Sequence, residues 1–198
     1  MHSSNTQFSL FEAGTDRSGS LIDPLFFALQ LDAGSAATAL DLALRLRSQH
    51  GLKGKPQSPG LLHVTLHFMG YSPGDPREIV QRACKALQGF RAPPFEVCFD
   101  RVLSFRRKSR RPLVLVGGAA LAPLLHFQQQ LRSALLLAHL PDPEKLTFTP
   151  HITLLRDDRE VPEQGIAPLC WKVRDFVLLR SLHGRGEHQV LARFPLDG

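Results

Sequence analysis

Two segments in which polar and hydrophobic residues alternate stand out along the chain: His63-Val64-Thr65-Leu66 and His151-Ile152-Thr153-Leu154. Because β-branched residues fit a pleated strand better than a helix, both segments are predicted to be β-strands. Side chains alternate between the two faces of a strand, so the histidine and threonine of each copy point to one face. The hydrophobic residues can therefore enter a core while the polar pair lines a surface.

Similar patterns predict the remaining elements. A hydrophobic run of strand length covers residues 25–31, and the Ala/Leu-rich segment between Ser35, a suitable N-cap, and Gly51, a suitable stop signal, is predicted to be a helix. Hydrophobic residues at helical spacing predict two further helices, with core faces formed by Ile79, Ala83, Ala86, Leu87 and Phe90 and by Leu124, Phe127, Leu131, Leu135 and Ala138. Other strands are predicted at 95–100 and 113–116, and two more around 171–181 and 189–194.

The two His-x-Thr-x segments occupy equivalent places in two similar halves. Each half has a hydrophobic strand, a helix, a loop and a His-x-Thr-x strand; Phe26 precedes His63 by 63 − 26 = 37 residues, and Leu113 precedes His151 by 151 − 113 = 38. This near-equal spacing indicates a tandem duplication, and duplicated units commonly pair about a pseudo-twofold axis. We therefore expect an α+β fold of two pseudo-symmetric lobes, with both polar faces lining one shared cleft.

Length and composition limit the class of protein but do not indicate a function. The 198 residues suffice for a real core, and no hydrophobic run approaches the ~20 residues that span a bilayer. Residues 1–20 are polar and lack a signal-peptide pattern, so we expect a disordered tail before a single two-lobed domain at 21–198. Cys84, Cys98 and Cys170 are odd in number and widely spaced, which predicts neither a disulfide framework nor a zinc ribbon and favours a reducing cytoplasm.

The charge of the chain favours a polyanionic partner such as nucleic acid. There are 24 basic and 18 acidic residues, a formal net charge of +6, and residues 106–111 contain five cations. In this segment Arg107 and Arg110 could bind RNA phosphates, although a solvated loop would have the same composition. Phe148 could stack on a terminal base, but aromatic residues beside strands more often belong to the core.

Paired histidines across a cleft can act as base and acid near neutral pH, since an unperturbed imidazole titrates near ~6.5. Threonine hydroxyls can donate hydrogen bonds to a phosphodiester, and Arg156 could add positive charge at the rim of the site. His67, four residues after His63, would form a metal pair only in a helix. In a strand it is expected to be a cleft-wall or surface residue, and nothing in this set of residues requires a metal.

Together these segments resemble the two-histidine (2H) phosphoesterases, and among them the RNA 2′,3′-cyclic phosphodiesterases of the LigT type. The resemblance runs from about Leu25 to Leu196 and includes residues 26–29, 62–66, 148–156, 176–181 and 190–196. It implies two lobes, each an antiparallel sheet with outer helices, around a central cleft. It also implies metal-independent hydrolysis of an RNA 2′,3′-cyclic phosphate to a 2′-phosphate.

The same resemblance implies roles for individual residues. His63 matches the proton donor to the leaving 3′ oxygen and His151 the proton acceptor from water, while Thr65 and Thr153 match the phosphate-binding threonines. Leu155 stands where the family pattern has alanine, and unbroken alternation would leave it beside the chemistry. We expect a cytoplasmic monomer without a cofactor that acts on RNA 3′ ends or small cyclic nucleotides. The alternatives are activity on 2′,5′-linked oligonucleotides or small cyclic phosphates, and non-catalytic binding of RNA ends.

Overall fold

The computed structural model describes residues 14–15, 21–72, 75–142, 148–182 and 185–197. Of the expected tail, two residues form a short strand, and the remainder lies outside the described residues. In the described part of the chain, no helix is long and apolar enough to cross a membrane.

Nine strands and three α-helices are found in the described residues, and most of them were predicted. The strands are β1 (Gly14–Thr15), β2 (Leu21–Gln30), β3 (His63–Ser72), β4 (Phe95–Ser104), β5 (Arg111–Val116), β6 (Ile152–Asp157), β7 (Gln164–Val173), β8 (Asp175–Leu182) and β9 (Glu187–Pro195). The helices are α1 (Ala33–Gln49), α2 (Arg77–Ala86) and α3 (Ala122–Leu137).

The long strands form two antiparallel sheets with matching plans. The first has the order β3-β2-β8-β9, with β1 paired to the start of β2, and the second has the order β6-β5-β4-β7. At one end of the first sheet, β3 begins with the first His-x-Thr-x segment. At one end of the second sheet, β6 begins directly after His151, the histidine of the second segment. The first sheet is completed by β8 and β9 from the C-terminal part of the chain. The predicted α+β fold of two similar lobes is confirmed.

One continuous core joins the two lobes. The ring of Phe176 in β8 contacts those of Phe90 and Phe127, at centroid distances of 6.0 and 5.3 Å. Helices α1 and α3 bury residues at helical spacing in this core: Ala36, Ala39, Ala43, Leu46, Leu124, Phe127, Leu131 and Leu135. The opposite faces of the sheets carry smaller hydrophobic groups, which are Phe26, Ala28, Phe68, Val177 and Leu179 in the first sheet and Phe105, Val114 and Val116 in the second.

Two predicted boundaries were wrong. The N-cap of α1 is Asp32 rather than Ser35, because the Asp32 side chain accepts a 2.7 Å hydrogen bond from the Ser35 backbone N–H. In the C-terminal part, β7 was missed and the single strand predicted over 171–181 is interrupted at Arg174. The alternation in β7 is hard to detect, since its first half is largely exposed and only its last five residues alternate clearly between buried and exposed.

The expectation of no disulfide was also wrong. Cys98 and Cys170 are joined by a disulfide, while Cys84 is free. The two bonded residues lie directly opposite each other in β4 and β7, with their Cα atoms 4.2 Å apart. Their separation of 72 residues gave no indication of this, because the register of the sheet brings them together.

Candidate active site

His63 and His151 are held in matching ways. Nδ1 of His63 lies 2.7 Å from the carbonyl oxygen of Leu61, and Nδ1 of His151 lies 2.8 Å from that of Thr149. Because a carbonyl oxygen can only accept, the hydrogen-bond network assigns the ring proton to Nδ1 in each neutral imidazole. Nε2 is therefore the unprotonated nitrogen of each neutral ring.

A β-bulge in β3 separates His67 from the face that carries His63 and Thr65. The pairing of β3 with β2 shifts between Thr65 and His67, which leaves Leu66 as an extra residue. His67 therefore shares a face with its partner Phe27, which lies in the main core, instead of facing the cleft. It is buried, and its Nε2 lies 2.8 Å from the carbonyl oxygen of Pro141. The prediction of a cleft-wall or surface residue, which assumed unbroken alternation, was wrong.

The same irregularity occurs in β6. Its pairing with β5 shifts between Thr153 and Leu155, so Leu155 is fully buried in the main core rather than beside the chemistry. The next residue, Arg156, is thereby turned to the cleft side of the sheet. Burial lowers the pKa of His151, the hydrogen bond to Thr149 opposes this, and the charge of Arg156 lowers it further. The bulge thus puts a permanent positive charge near His151.

His63 and His151 lie at the starts of two strands that are in contact, and they are close enough to interact electrostatically. Burial lowers the pKa of His63 to about 3; the charges of His188 and, less strongly, His151 act in the same direction, and the bond to Leu61 opposes them. The structure therefore brings together the two histidines that the sequence analysis singled out.

The threonines lie on the same side as the histidines. Thr65 is paired with Ala28 and Thr153 with Val114, and both partners belong to the hydrophobic groups on the cleft faces. Thr65 is buried and Thr153 is half-buried. Their hydroxyls are suited to a small anion bound between the strands, since a hydroxyl can donate to a phosphate oxygen.

Each histidine also packs against a phenylalanine. The centroid of the His63 ring lies 5.1 Å from that of Phe26, and the centroid of the His151 ring lies 5.1 Å from that of Phe105. Both phenylalanines are buried in the cleft-side groups. These rings exclude water from one side of each imidazole, which contributes to the burial that lowers their pKa values.

Sequence reasoning missed a third histidine. The ring of His188 in β9 meets that of His63 edge to face, with centroids 4.9 Å apart and an interplanar angle of 73°. Burial lowers the pKa of His188 to about 4. No spacing in the sequence could have indicated this contact, because β9 is separated from β3 by β2 and β8 in the sheet.

The remaining candidate residues differ in their exposure. Phe148 is half-buried and packs against the main core, as the alternative interpretation expected. Arg107 is half-buried and Arg110 exposed, in the loop that follows Phe105. The backbone N–H of Arg110 donates a 2.7 Å hydrogen bond to Asp158, which fixes this loop against the end of β6.

The loop that leads to His63 is attached to the strand that follows His151. The carboxylate of Asp157, at the end of β6, accepts hydrogen bonds from the backbone N–H groups of Lys53 and Gly54, both 2.6 Å long. Its other oxygen accepts a 2.9 Å bond from the N–H of Arg159. Burial would raise the pKa of Asp157, but these backbone bonds outweigh it and the pKa is lowered. Asp157 therefore ties the two catalytic segments together.

One group of possible metal ligands exists among the described residues, and it lies outside this site. The ligand atoms of Glu96, Cys98 and Cys170 lie within 4.8 Å of one another. In the disulfide form the two sulfur atoms are not thiolates, which are the species that bind metal.

Comparison with known proteins agrees with the fold. A profile of the 2′-5′ RNA ligase superfamily matches residues 35–185. E. coli LigT in complex with 3′-AMP is similar at a TM-score of 0.68 and 26% identity, with 89% of this chain and 99% of that chain covered. TT0787 of Thermus thermophilus is similar at a TM-score of 0.67 and 26% identity, with 88% of this chain and 98% of that chain covered. E. coli LigT in complex with phosphate is similar at a TM-score of 0.66 and 27% identity, with 90% of this chain and 100% of that chain covered. No curated protein matches the chain.

Two similar lobes, each with a His-x-Thr-x segment facing a common cleft, define a two-histidine phosphoesterase of the LigT type. The chain belongs to the 2′-5′ RNA ligase superfamily, whose profile covers more than half of it. The resemblance seen in the sequence is confirmed, and the protein is an enzyme that acts on phosphodiesters.

Proposed function

We propose that this enzyme hydrolyses the 2′,3′-cyclic phosphate at RNA ends to a 2′-phosphate, using His63 and His151 without a metal ion. The observation that carries the proposal is the matched pair of imidazoles, each held through Nδ1 by a backbone carbonyl. Two such groups supply both proton transfers of a phosphodiester hydrolysis. In support, E. coli LigT forms complexes with 3′-AMP and with phosphate.

The reaction requires one proton to be taken and one to be given. Nε2 of His151 accepts a proton from water as the water oxygen bonds to phosphorus. The bond between phosphorus and O3′ breaks, and Nε2 of protonated His63 gives its proton to that oxygen. The products are a 2′-phosphate monoester and a free 3′ hydroxyl. Thr65 and Thr153 donate hydrogen bonds to the non-bridging oxygens, which carry the charge that develops during transfer.

The division of roles follows the family resemblance, because both imidazoles are held neutral in the empty site: burial lowers the pKa of His63 to about 3 and also lowers that of His151. Burial and, to a lesser extent, the permanent charge of Arg156 lower the pKa of His151, so His151 is neutral and able to accept a proton. His188 and, less strongly, His151 add to the effect of burial on the pKa of His63, so the ring of His63 is neutral in the empty site. The negative charge of a bound phosphodiester favours the protonated form of His63, which becomes an acid when substrate arrives.

The basic loop of residues 106–111 favours a substrate longer than one nucleotide. It begins directly after Phe105, whose ring packs on His151, and it ends where Arg111 is paired with Asp157 at the end of β6. Thr153 and Asp157 are four residue steps apart, roughly 13 Å along a regular strand, which a few nucleotides can bridge. We propose that Arg107 and Arg110 bind phosphates of the RNA chain upstream of the cyclic end.

A product assay tests this function. A short RNA ending in a 2′,3′-cyclic phosphate is incubated with wild type, His63→Ala, His151→Ala and the matched control His126→Ala, which changes an exposed histidine of α3. We expect 2′-phosphate as the product, losses of at least ~10²-fold in the two cleft variants with unchanged circular dichroism, and normal turnover in the control.

Several outcomes would contradict the proposal. Near-normal turnover in either cleft variant would exclude the acid–base pair, and a 3′-phosphate product would exclude the assigned leaving oxygen. Tight binding without turnover by wild type would indicate an RNA-end binding protein instead, and faster cleavage of a 2′,5′-linked oligonucleotide would indicate the related activity. Complete loss of turnover in chelator, restored by added metal, would refute metal independence.

A further inference from the structure

The proton donor of the proposed reaction lies in a cluster of three rings. The rings of Phe26, His63 and His188 are in mutual contact, with centroid distances of 5.1 Å for Phe26 and His63, 5.5 Å for Phe26 and His188, and 4.9 Å for His63 and His188. Phe26 is tilted by 35° to His63, whereas His188 stands nearly perpendicular to it at 73°. The His63 ring is therefore bounded by two other rings.

Packing alone does not account for a histidine at position 188. Its Nδ1 is buried and has no hydrogen-bond partner among the described residues. Burying an unpaired polar atom destabilises a fold, so a phenylalanine would fill this place between Phe26 and His63 at lower cost. An imidazole at this place can also be protonated at low pH, where its charge opposes a proton on His63.

We propose that His188 is a third functional histidine of this site, a positioning residue that fixes the imidazole of His63 for proton transfer. This inference rests on the proposed function. The hydrogen bond to Leu61 fixes one atom of the His63 ring and leaves rotation about that bond possible. The edge of His188 and the tilted face of Phe26 restrict this rotation, and Nε2 is thereby held toward the phosphate. Small misplacements of a reacting group reduce rates strongly.

His188 also affects the charge state of the donor. His188 in β9 and His151 just before β6 are ionisable groups that act on His63, and β2 places the uncharged Phe26 against its ring. A proton on His188 opposes a proton on His63, and burial keeps His188 itself neutral near pH 7 because it lowers its pKa to about 4. In the empty site His63 is therefore neutral, and it gains its proton together with an anionic substrate.

Two substitutions separate the contributions of shape and charge. His188→Phe keeps an aromatic ring against His63 and removes the ionisable group, whereas His188→Ala removes both. His126→Phe is the matched control, since it replaces an exposed histidine of α3. Steady-state kinetics on a 2′,3′-cyclic phosphate are measured from pH 4 to 9. The pKa of His63 is measured by NMR titration of the substrate-free protein.

We expect His188→Ala to lower kcat between about 10- and 100-fold with little change in KM, because the substrate still binds but the donor is misplaced. His188→Phe should recover most of kcat. It should also raise the pKa of His63 from about 3, because the opposing charge of His188 is removed. The limb of the pH–rate profile that reports the titration of His63 should move to higher pH as well. The control should match wild type in both measurements.

The inference is overturned if kcat of His188→Ala stays within twofold of wild type across the pH range, or if neither variant changes the pKa of His63. If His188→Ala does not fold, His188→Phe and its titration decide the matter. Lack of turnover by wild-type protein would refute the proposed function instead, and the NMR titration would still test the contact between the two histidines.

Discussion

Asp157 offers the sharpest test of how the two catalytic segments are held together. Replacing it with asparagine preserves the shape of the side chain and removes its charge. One amide oxygen can still accept from Lys53 and Gly54, but those two bonds lose their charge assistance. The amide NH₂ then faces the backbone N–H of Arg159, where a donor meets a donor.

The expected loss follows from these three bonds. A hydrogen bond to a charged group contributes about 1 kcal/mol more than a neutral one, and losing the third bond removes about 2 kcal/mol, so Asp157→Asn should lower the free energy of unfolding by about 4 kcal/mol. The free energy of unfolding of domains of this kind is roughly 5–15 kcal/mol, so the variant should remain folded. Urea denaturation at pH 7 measures the difference, with an unchanged m value expected. The control is Asp158→Asn, an exposed carboxylate that bonds one backbone N–H and should cost less than about 1 kcal/mol.

The pH dependence gives an independent check. The pKa of Asp157 is lowered in the folded state from its ordinary value of 3.8, so its stabilising contribution is fully present above that value. It is lost as the pH falls through the lowered pKa, because the carboxylate of the wild type is then protonated too. The difference between wild type and Asp157→Asn should therefore be constant from pH 7 to about 5 and shrink below pH 4. A loss below about 1 kcal/mol at pH 7, or a difference that grows in acid, would refute this account of Asp157.

Three further predictions follow from local geometry. A Cβ at Gly54 would lie 2.1 Å from a backbone oxygen of β6, so Gly54→Ala should lower Tm and kcat, whereas Gly60→Ala, with open space around it, should change neither; equal melting curves would contradict this. Leu155→Ala should cost about 2–5 kcal/mol in urea unfolding and leave kcat per folded molecule near normal, and a loss of kcat would place the residue in the chemistry. The double variant Arg107→Gln/Arg110→Gln should raise KM for an RNA oligomer and flatten its salt dependence without affecting a cyclic mononucleotide, and equal effects on both substrates would remove the loop from RNA binding.

The parts of the site that depend on local alternation could be predicted, and those that depend on pairing between strands could not. His63 with Thr65, and His151 with Thr153, precede the bulges, so simple alternation placed them correctly. His67 and Arg156 follow the bulges, and a one-residue shift moved each to the face opposite the one that alternation gives. His188 and the bonded cysteines are brought to their partners by sheet register, which a single sequence does not reveal.

The matching sheets also constrain the order in which the protein can be assembled. The first sheet needs β8 beside β2, and this pairing joins residues as far apart as Leu25 and Arg180. During synthesis on the ribosome, β2 and β3 emerge early, but their sheet can be completed only after β8 and β9 have been synthesised. Such long-range pairing slows folding and leaves strand edges open in the meantime. Because β9 brings His188 to His63, the three-ring cluster forms only when synthesis has passed residue 188.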